Sequence, residues 1–407
     1  MQVKNIKECR RCSPAIIRKY IVMCITVVFA VLQSPVFAAA EYTKPVFRKT
    51  WRKIRVYQKF KQFDPLPAVI VNDETYPGIL HNLLEMKTEV IAFDCNEDAT
   101  KFALILRDAG FPKVFYLEPE SITLQEFSLA VGFRDETPKM TLDGKTVFFV
   151  SDRFGNREIY SATYEDFVKK PDYLVNLLID NLSDNYNISI DNTGAVLAYQ
   201  SAKEGGNYLI YIKNLADGSE QVPSYVKEKS IRPVLSGNGK FILYTIAEHQ
   251  NNKIMLGDIE NKTVSQITAE SPAGSSAVIS ADGSKVIYIA EETTGISDVF
   301  MFDRNQKAYF NVSANPKSRD YDPHISDDGM VIAFQAEGEW DSKAVFVVDM
   351  RNSKIWRFWK NKTDYVKPRL SRNGNILILE TGGVLKRIDL EEVRKKGQGE
   401  TPKPQGN

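Results

Sequence analysis

Along most of the chain, short apolar runs alternate with tight polar turns, and one such unit repeats. The run from Pro323, P-H-I-S-D-D-G-M-V-I-A-F, is its clearest copy: a short strand, an Asp-Gly turn, and a second strand of alternating or adjoining apolar residues. Further copies begin at Pro138 (P-K-M-T-L-D-G-K-T-V-F-F), Ile188 (I-S-I-D-N-T-G-A-V-L-A-Y) and Pro233 (P-V-L-S-G-N-G-K-F-I-L-Y). The last two begin at Ala277 (A-V-I-S-A-D-G-S-K-V-I-Y) and Pro368 (P-R-L-S-R-N-G-N-I-L-I-L). The turn glycines Gly144, Gly194, Gly239, Gly283, Gly329 and Gly374 stand 50, 45, 44, 46 and 45 residues apart. A period in this range with several strands per repeat predicts a β-propeller, here with six blades.

The residue types in the unit have physical reasons. Asp143, Asn238, Asp282, Asp328 and Asn373 precede their glycines, where short polar side chains and Gly suit the turn. Thr141, Ser236, Ser280, Ser326 and Ser371, three residues before Gly, are placed to close a local side-chain turn. The pairs three and five residues after Gly, such as Val147/Phe149 and Ile332/Phe334, are expected to pack between neighbouring blades. The sixth blade lacks an outer strand after residues 384–390, so its edge needs a partner. Residues 124–130, just ahead of the first copy, are expected to be that clasp, inside a propeller spanning 122–392.

Ahead of the repeats, residues 67–121 predict a small α/β domain. Strands are expected at 67–71, 89–93 and 113–117, with helices at 79–86 and 99–109; the latter has apolar residues at 102, 103, 105, 106 and 109. Cys95 follows the second strand, where the N-terminus of the expected helix would favour a thiolate. The stretch V-I-A-F-D-C-N-E-D-A-T resembles the second half of a rhodanese domain, which implies a sulfur-handling cysteine. Glu97 and Asp98 work against that chemistry by raising a thiolate pKa and repelling anionic substrates.

Of the 407 residues, 43% are hydrophobic, and the formal charge is +1, which gives no electrostatic case for nucleic acid. Residues 1–40 carry six Lys/Arg and one Glu, with an apolar core at 20–32 followed by Q-S-P and V-F-A-A-A. They predict an export signal cleaved after Ala38 or Ala40. Export would remove Cys9, Cys12 and Cys24 and leave Cys95 without an internal disulfide partner. Residues 41–66 form a basic arm, with eight Lys/Arg and no acid between Lys44 and Lys61, interleaved with Phe47, Trp51, Tyr57 and Phe60. The polar tail at 393–407 is expected to be disordered.

The repeated unit, with S-D-R-F-G-N-R-E-I-Y from Ser151, resembles the TolB family of six-bladed propellers over about two thirds of the chain. That resemblance implies a periplasmic non-enzyme: TolB binds the lipoprotein Pal at its propeller and TolA through its N-terminal segment. The expected function is a TolB-like binding scaffold for a protein or envelope component, a lipoprotein among them, monomeric and without nucleic acid, metal or cofactor. Alternatives are a Cys95-dependent enzyme, or small-molecule or glycan binding at the propeller channel. The chain has only His81, His249 and His324, and it carries no G-x-S-x-G elbow, Walker motif or dinucleotide glycine pattern. Candidate binding residues at one channel mouth are Lys139, Arg319, Asp322, His324 and Arg369, with Asp320 nearby.

Overall fold

The computed structural model describes residues 69–71, 80–85 and most of 89–399. The expected export signal, the basic arm at 41–66 and the end of the tail at 400–407 lie outside the described residues. Seven four-stranded antiparallel units follow one another, at residues 90–126, 135–179, 185–221, 230–266, 274–311, 319–359 and 366–389, the fifth and sixth joined by a single parallel bridge between Ser297 and Arg319. The last has only three strands of its own and is completed by Leu80–Glu85, which pairs antiparallel with Val384–Asp389. A further short strand, Val69–Val71, adds in parallel to the outer strand Lys354–Trp359 of the sixth sheet.

A circuit of backbone hydrogen bonds between equivalent turns closes these sheets into a ring. Glu97 N donates to Leu142 O at 3.1 Å, Leu142 N to Asn192 O at 2.9 Å, and Asn192 N to Gly237 O at 2.9 Å. Asn238 N then donates to Ala281 O at 2.9 Å, Ala281 N to Asp327 O at 2.9 Å, and Asp327 N to Arg372 O at 2.7 Å. Asn373 N returns to Glu97 O at 3.1 Å. The chain is therefore a propeller of seven blades, one more than the sequence repeat count.

The extra blade occupies the segment expected to be a small α/β domain. Residues 90–126 form an antiparallel meander, and the expected helices at 79–86 and 99–109 are the strands Leu80–Glu85 and Phe102–Asp108. Its turn, N-E-D-A, is a disguised copy of the repeat in phase with the others, 45 residues before Gly144. Ala99 adopts φ 54° in place of the turn glycine. Asn96 replaces the turn Ser, its Oδ1 accepting from Thr100 N and Lys101 N at 2.9 Å each. In blade 6 the Ser326 Oγ accepts from Val331 N, also at 2.9 Å, and donates to Asp328. Residues 123–126 pair within blade 1, so the clasp is Leu80–Glu85 rather than the segment at 124–130. An open blade edge exposes unpaired backbone groups, and any strand within reach gains by covering it.

The core lies between blades. Residues three and five after each turn are buried, among them Phe102/Leu104, Val147/Phe149 and Ile332/Phe334. Trp356 is fully buried between blades 6 and 7. After blade 7 a helix, Leu390–Gly399, buries Leu390 and Val393 in the same cluster. Asp389 Oδ1 caps it by accepting from Glu391 N and Glu392 N, and Arg394 Nε donates to Asp349 at 2.7 Å. The part of the expected disordered tail at 393–399 is thus helical. Among the described residues, no helix is long and apolar enough to cross a membrane.

Candidate functional site

The innermost strands of the seven blades line the central channel, and the repeat period fixes which residues face it. Five residues before each turn stand Asp94, Lys139, Ser189, His324 and Arg369, with Val234 and Val278 between Ser189 and His324. Two residues before each turn comes a second tier that includes Asn192, Gly237, Ala281, Asp327 and Arg372. Five inner strands carry a bulge between the outer pair and the channel residue. Each bulge places one residue in the left-handed region: Thr137, Asn187, Arg232, Ser276 and Asp322, with φ from 48° to 56°. A bulge re-aims the side chains beside it, and here the device recurs two residues ahead of the channel position.

The second tier closes the turn end of the channel. Asn192 Nδ2 donates to Asp327 Oδ2 at 2.7 Å from blade 3 to blade 6, and Arg372 Nη1 donates to Asn192 Oδ1 at 3.3 Å. Arg372 also lies 3.8 Å from Asp94 and 3.9 Å from Asp327. Burial opposes its charge, but Asp94 and Asp327 more than restore it and raise its pKa. Burial also works against the Asp94 carboxylate. Arg372, Lys139, Arg369 and the Met140 amide, which donates to Asp94 at 3.1 Å, together hold it below the usual range. At Gly237 an added Cβ would stand 2.6 Å from Asn192 Nδ2 and 2.7 Å from Ala281, so the passage is narrow.

The first tier is different. Arg369 Nη1 lies 3.4 Å from His324 Nδ1, and because Arg can only donate, Nδ1 accepts and the neutral ring carries its proton on Nε2. That Nε2 faces Asp322 at 3.5 Å without forming a hydrogen bond, and Arg369 Nε is likewise buried without one. Burial first, then the Arg369 charge, push the imidazole below its ordinary value against the pull of Asp322. Burial lowers the Lys139 ammonium too, opposed by Asp94 and reinforced by Arg369 and Arg372. Among the described residues the Lys139 side chain makes no hydrogen bond or ion pair, while its backbone pairs with Phe148. Lys367, two residues before Arg369, donates to Val90 O and Ile91 O at 3.1 Å each, tying blade 7 to blade 1. Asp322, with burial working against its charge, is kept ionised by His324, Arg369 and Lys367.

Of the residues picked from sequence, the channel brings together His324, Asp322 and Arg369, with Lys139 linked to them through charge. Arg319 does not join: it is exposed at the start of its strand, opposite Glu337. Asp320 beside it is buried, and burial raises its carboxyl to about 7 while Ser318 Oγ donates to it at 2.8 Å. Sequence reasoning missed Asp94, Asn192, Asp327 and Arg372. All four sit at fixed offsets within the repeat, and Asp94 required recognising the disguised first copy.

Cys95 lies inside the core of the blade. It is the residue after the channel position, equivalent to Met140 and Ile190, and 1% exposed within the core of blades 7 and 1. A turn and a strand follow it, with no helix. Burial, reinforced by Asp94, pushes the thiol up to about 12, so the thiolate is absent at neutral pH.

The face opposite the turns carries exposed apolar side chains. Phe154 is 75% exposed on the hairpin of blade 2, and Leu182 is 96% exposed on the loop leading to blade 3. Arg157 N donates to Asp184 at 2.8 Å and Asn185 N to Arg157 O at 2.8 Å, which fixes these two loops side by side. The hairpin is anchored to the start of an inner strand by Arg153, which donates to the buried Asp135 at 3.2 Å.

Solved structures with similar architecture place this geometry among known folds. Oligogalacturonate lyase from Vibrio parahaemolyticus matches with a TM-score of 0.59 at 12% identity, over 77% of this chain and 94% of that one. A second oligogalacturonate lyase, solved with manganese, gives 0.59 at 11% identity over 76% and 92%. The fold is a β-propeller. TolB from Acinetobacter baumannii is also among the structural neighbours, with a TM-score of 0.43 at 14% identity over 74% of this chain and 78% of that one. No protein-family model and no curated protein matches the sequence.

Proposed function

We propose that the protein is an exported, non-catalytic binding propeller whose channel, open opposite the turns, receives an anionic group of a protein or envelope ligand. One observation carries this reading. Among the described residues, His324 Nε2 and Arg369 Nε are buried in the same tier without a hydrogen-bond acceptor, and Lys139 adds a cationic side chain to that tier. Buried donors left unpaired cost roughly 1–3 kcal/mol each, so a ligand that supplies the acceptors recovers that energy on binding. The exposed Phe154 and Leu182 at the same end favour a polypeptide ligand, which covers such residues with apolar contacts. The buried Cys95, its thiol pushed up by burial, speaks against the thiol-dependent alternative. Among the described residues, no group of three or more His, Cys, Asp or Glu is placed to share a metal ion.

The test is capture from detergent-solubilised envelope by the purified full chain, alongside a variant carrying His324→Ala and Arg369→Ala. A defined ligand held by the native protein and lost by the variant is the expected result. A ligand retained by the variant places binding elsewhere, and a purified ligand that turns over on incubation overturns the non-catalytic reading.

A further inference from the structure

A cleft of about 390 Å³ opens between blades 1 and 2, lined by Ile91, Ala92, Ile105 and Pro112 on its apolar side. Arg107, Arg134 and Thr137 supply its polar side. Ala92 and Thr137 are inner-strand residues, the latter two positions before Lys139, so the cleft borders the upper channel. The Thr137 Oγ1 is buried and, among the described residues, has no hydrogen-bond partner. Thr137 holds φ 48°, rare for a β-branched residue, at the bulge that aims this segment.

The charges around the cleft are unequal. Its carboxylates already have cationic partners: Asp135 accepts from Val114 N at 3.1 Å and Arg153 at 3.2 Å, and Glu136 lies 3.7 Å from Arg157. Arg107 is matched by Glu89 at 2.9 Å. Arg134 is tied down through its backbone, its N donating to Asp152 Oδ1 at 2.6 Å, while among the described residues no carboxylate pairs with its guanidinium. The cleft therefore offers one uncompensated guanidinium, one orphan hydroxyl and an aliphatic wall. At Gly110, on its rim, an added Cβ would meet nothing within 4 Å, so the entrance is open.

We propose that this cleft is a subsite for an apolar carboxylate, seating a branched aliphatic side chain on Ile91, Ile105 and Pro112 and the carboxylate on Arg134, with Thr137 supplying a further hydrogen bond. The volume lies in the lower part of the range of about 300–1,000 Å³ for small-ligand sites and suits a group the size of one acylated amino acid. A sugar acid fits the lining poorly, because its ring hydroxyls would face four apolar side chains. The proposal rests on the channel reading only in sharing that wall, and Arg369→Ala enters its test to tell the two sites apart.

The experiment is calorimetric titration of the full chain with N-acetyl-L-leucine, its amide, acetate and glucuronate. Saturable binding of N-acetyl-L-leucine is expected, weakened about tenfold or more by amidation and by Arg134→Ala, the loss of one charge-assisted contact. Thr137→Val is expected to weaken it by a smaller factor, and Arg369→Ala to leave it within about twofold. Circular dichroism and the unfolding midpoint identify any variant that has lost its fold, and Arg107→Ala then serves as the second probe of the guanidinium side. A peptide ending in leucine, run against 4-methylpentanoate, decides whether the carboxylate arrives on a chain terminus or as a free acid. The proposal is overturned if N-acetyl-L-leucine does not bind, if the amide binds equally, or if glucuronate binds as tightly. Loss of binding in Arg369→Ala alone would move the ligand into the main channel and leave the function proposal standing.

Discussion

The two ends of the channel are built from the same repeat and do opposite things. At the turn end, backbone groups pass hydrogen bonds from blade to blade around the whole ring, and Asn192, Asp327, Asp94 and Arg372 satisfy one another across it. A few residues along the same strands, His324 and Arg369 hold buried N–H donors that find no acceptor among the described residues, with Lys139 beside them, and a cleft and exposed apolar side chains lie on that side. A rigid ring at one end lets the other end tolerate unpaired polar groups, and such groups persist where they serve a ligand.

The contrast is open to attack at several points. The largest effect is expected from Gly283→Ala at the closed end, where φ is 73° and a new Cβ would overlap the Phe241 ring. Left-handed strain and overpacking together are expected to cost about 3 kcal/mol, read from the urea midpoint. A smaller effect is expected from Asp320→Asn near the open end. Burial raises that carboxyl to about 7 from 3.8, so the folded protein binds its proton more tightly than the unfolded chain. Its contribution to stability is present at acidic pH and is lost as pH rises through 7. Asn keeps the shape without the charge. The variant should gain roughly 1–2 kcal/mol at pH 8 and little at pH 5, measured by unfolding at both. The smallest effect is expected at Ala99→Gly, which relieves φ 54° in the disguised turn at the cost of a buried methyl. A gain of about 0.5 kcal/mol is expected, read from the same midpoint; a clear loss would mean that this turn is not strained like a glycine position.

Most of the ring was legible in the sequence because the turn chemistry repeats. Five Asp-Gly or Asn-Gly turns and one Thr-Gly turn, the apolar pairs after them and the turn closures, with Asp191 in place of Ser or Thr once, all stand where the period put them. Blade 1 was hidden by Ala99 and Asn96, which replace Gly and Ser while keeping the turn. Its strand Phe102–Asp108 is apolar on both faces, and such a run has no clear period to separate it from a buried helix. Leu80–Glu85 has no strand signal of its own; the open edge of blade 7 determines its conformation. The channel cluster was partly legible for the same reason as the ring: one offset within the repeat picks out Lys139, His324 and Arg369. The neighbouring offset, which holds Asn192, Asp327 and Arg372, passed unnoticed because it looks like ordinary turn polarity. Arg319 was drawn in by its nearness in sequence to His324, although its strand position points it to solvent.

Two arginines three residues apart bring the comparison to a single measurement. Arg372 holds two carboxylates at the closed end, and Arg369 sits at the open end with its Nε unpaired. Urea unfolding of Arg372→Ala and Arg369→Ala is to be run side by side at pH 7. A loss of about 1–3 kcal/mol is expected for Arg372→Ala, which strands Asp94 and Asp327, and less than about 1 kcal/mol for Arg369→Ala. The reverse order would show that the open end is part of the scaffold and would contradict its assignment as the binding site.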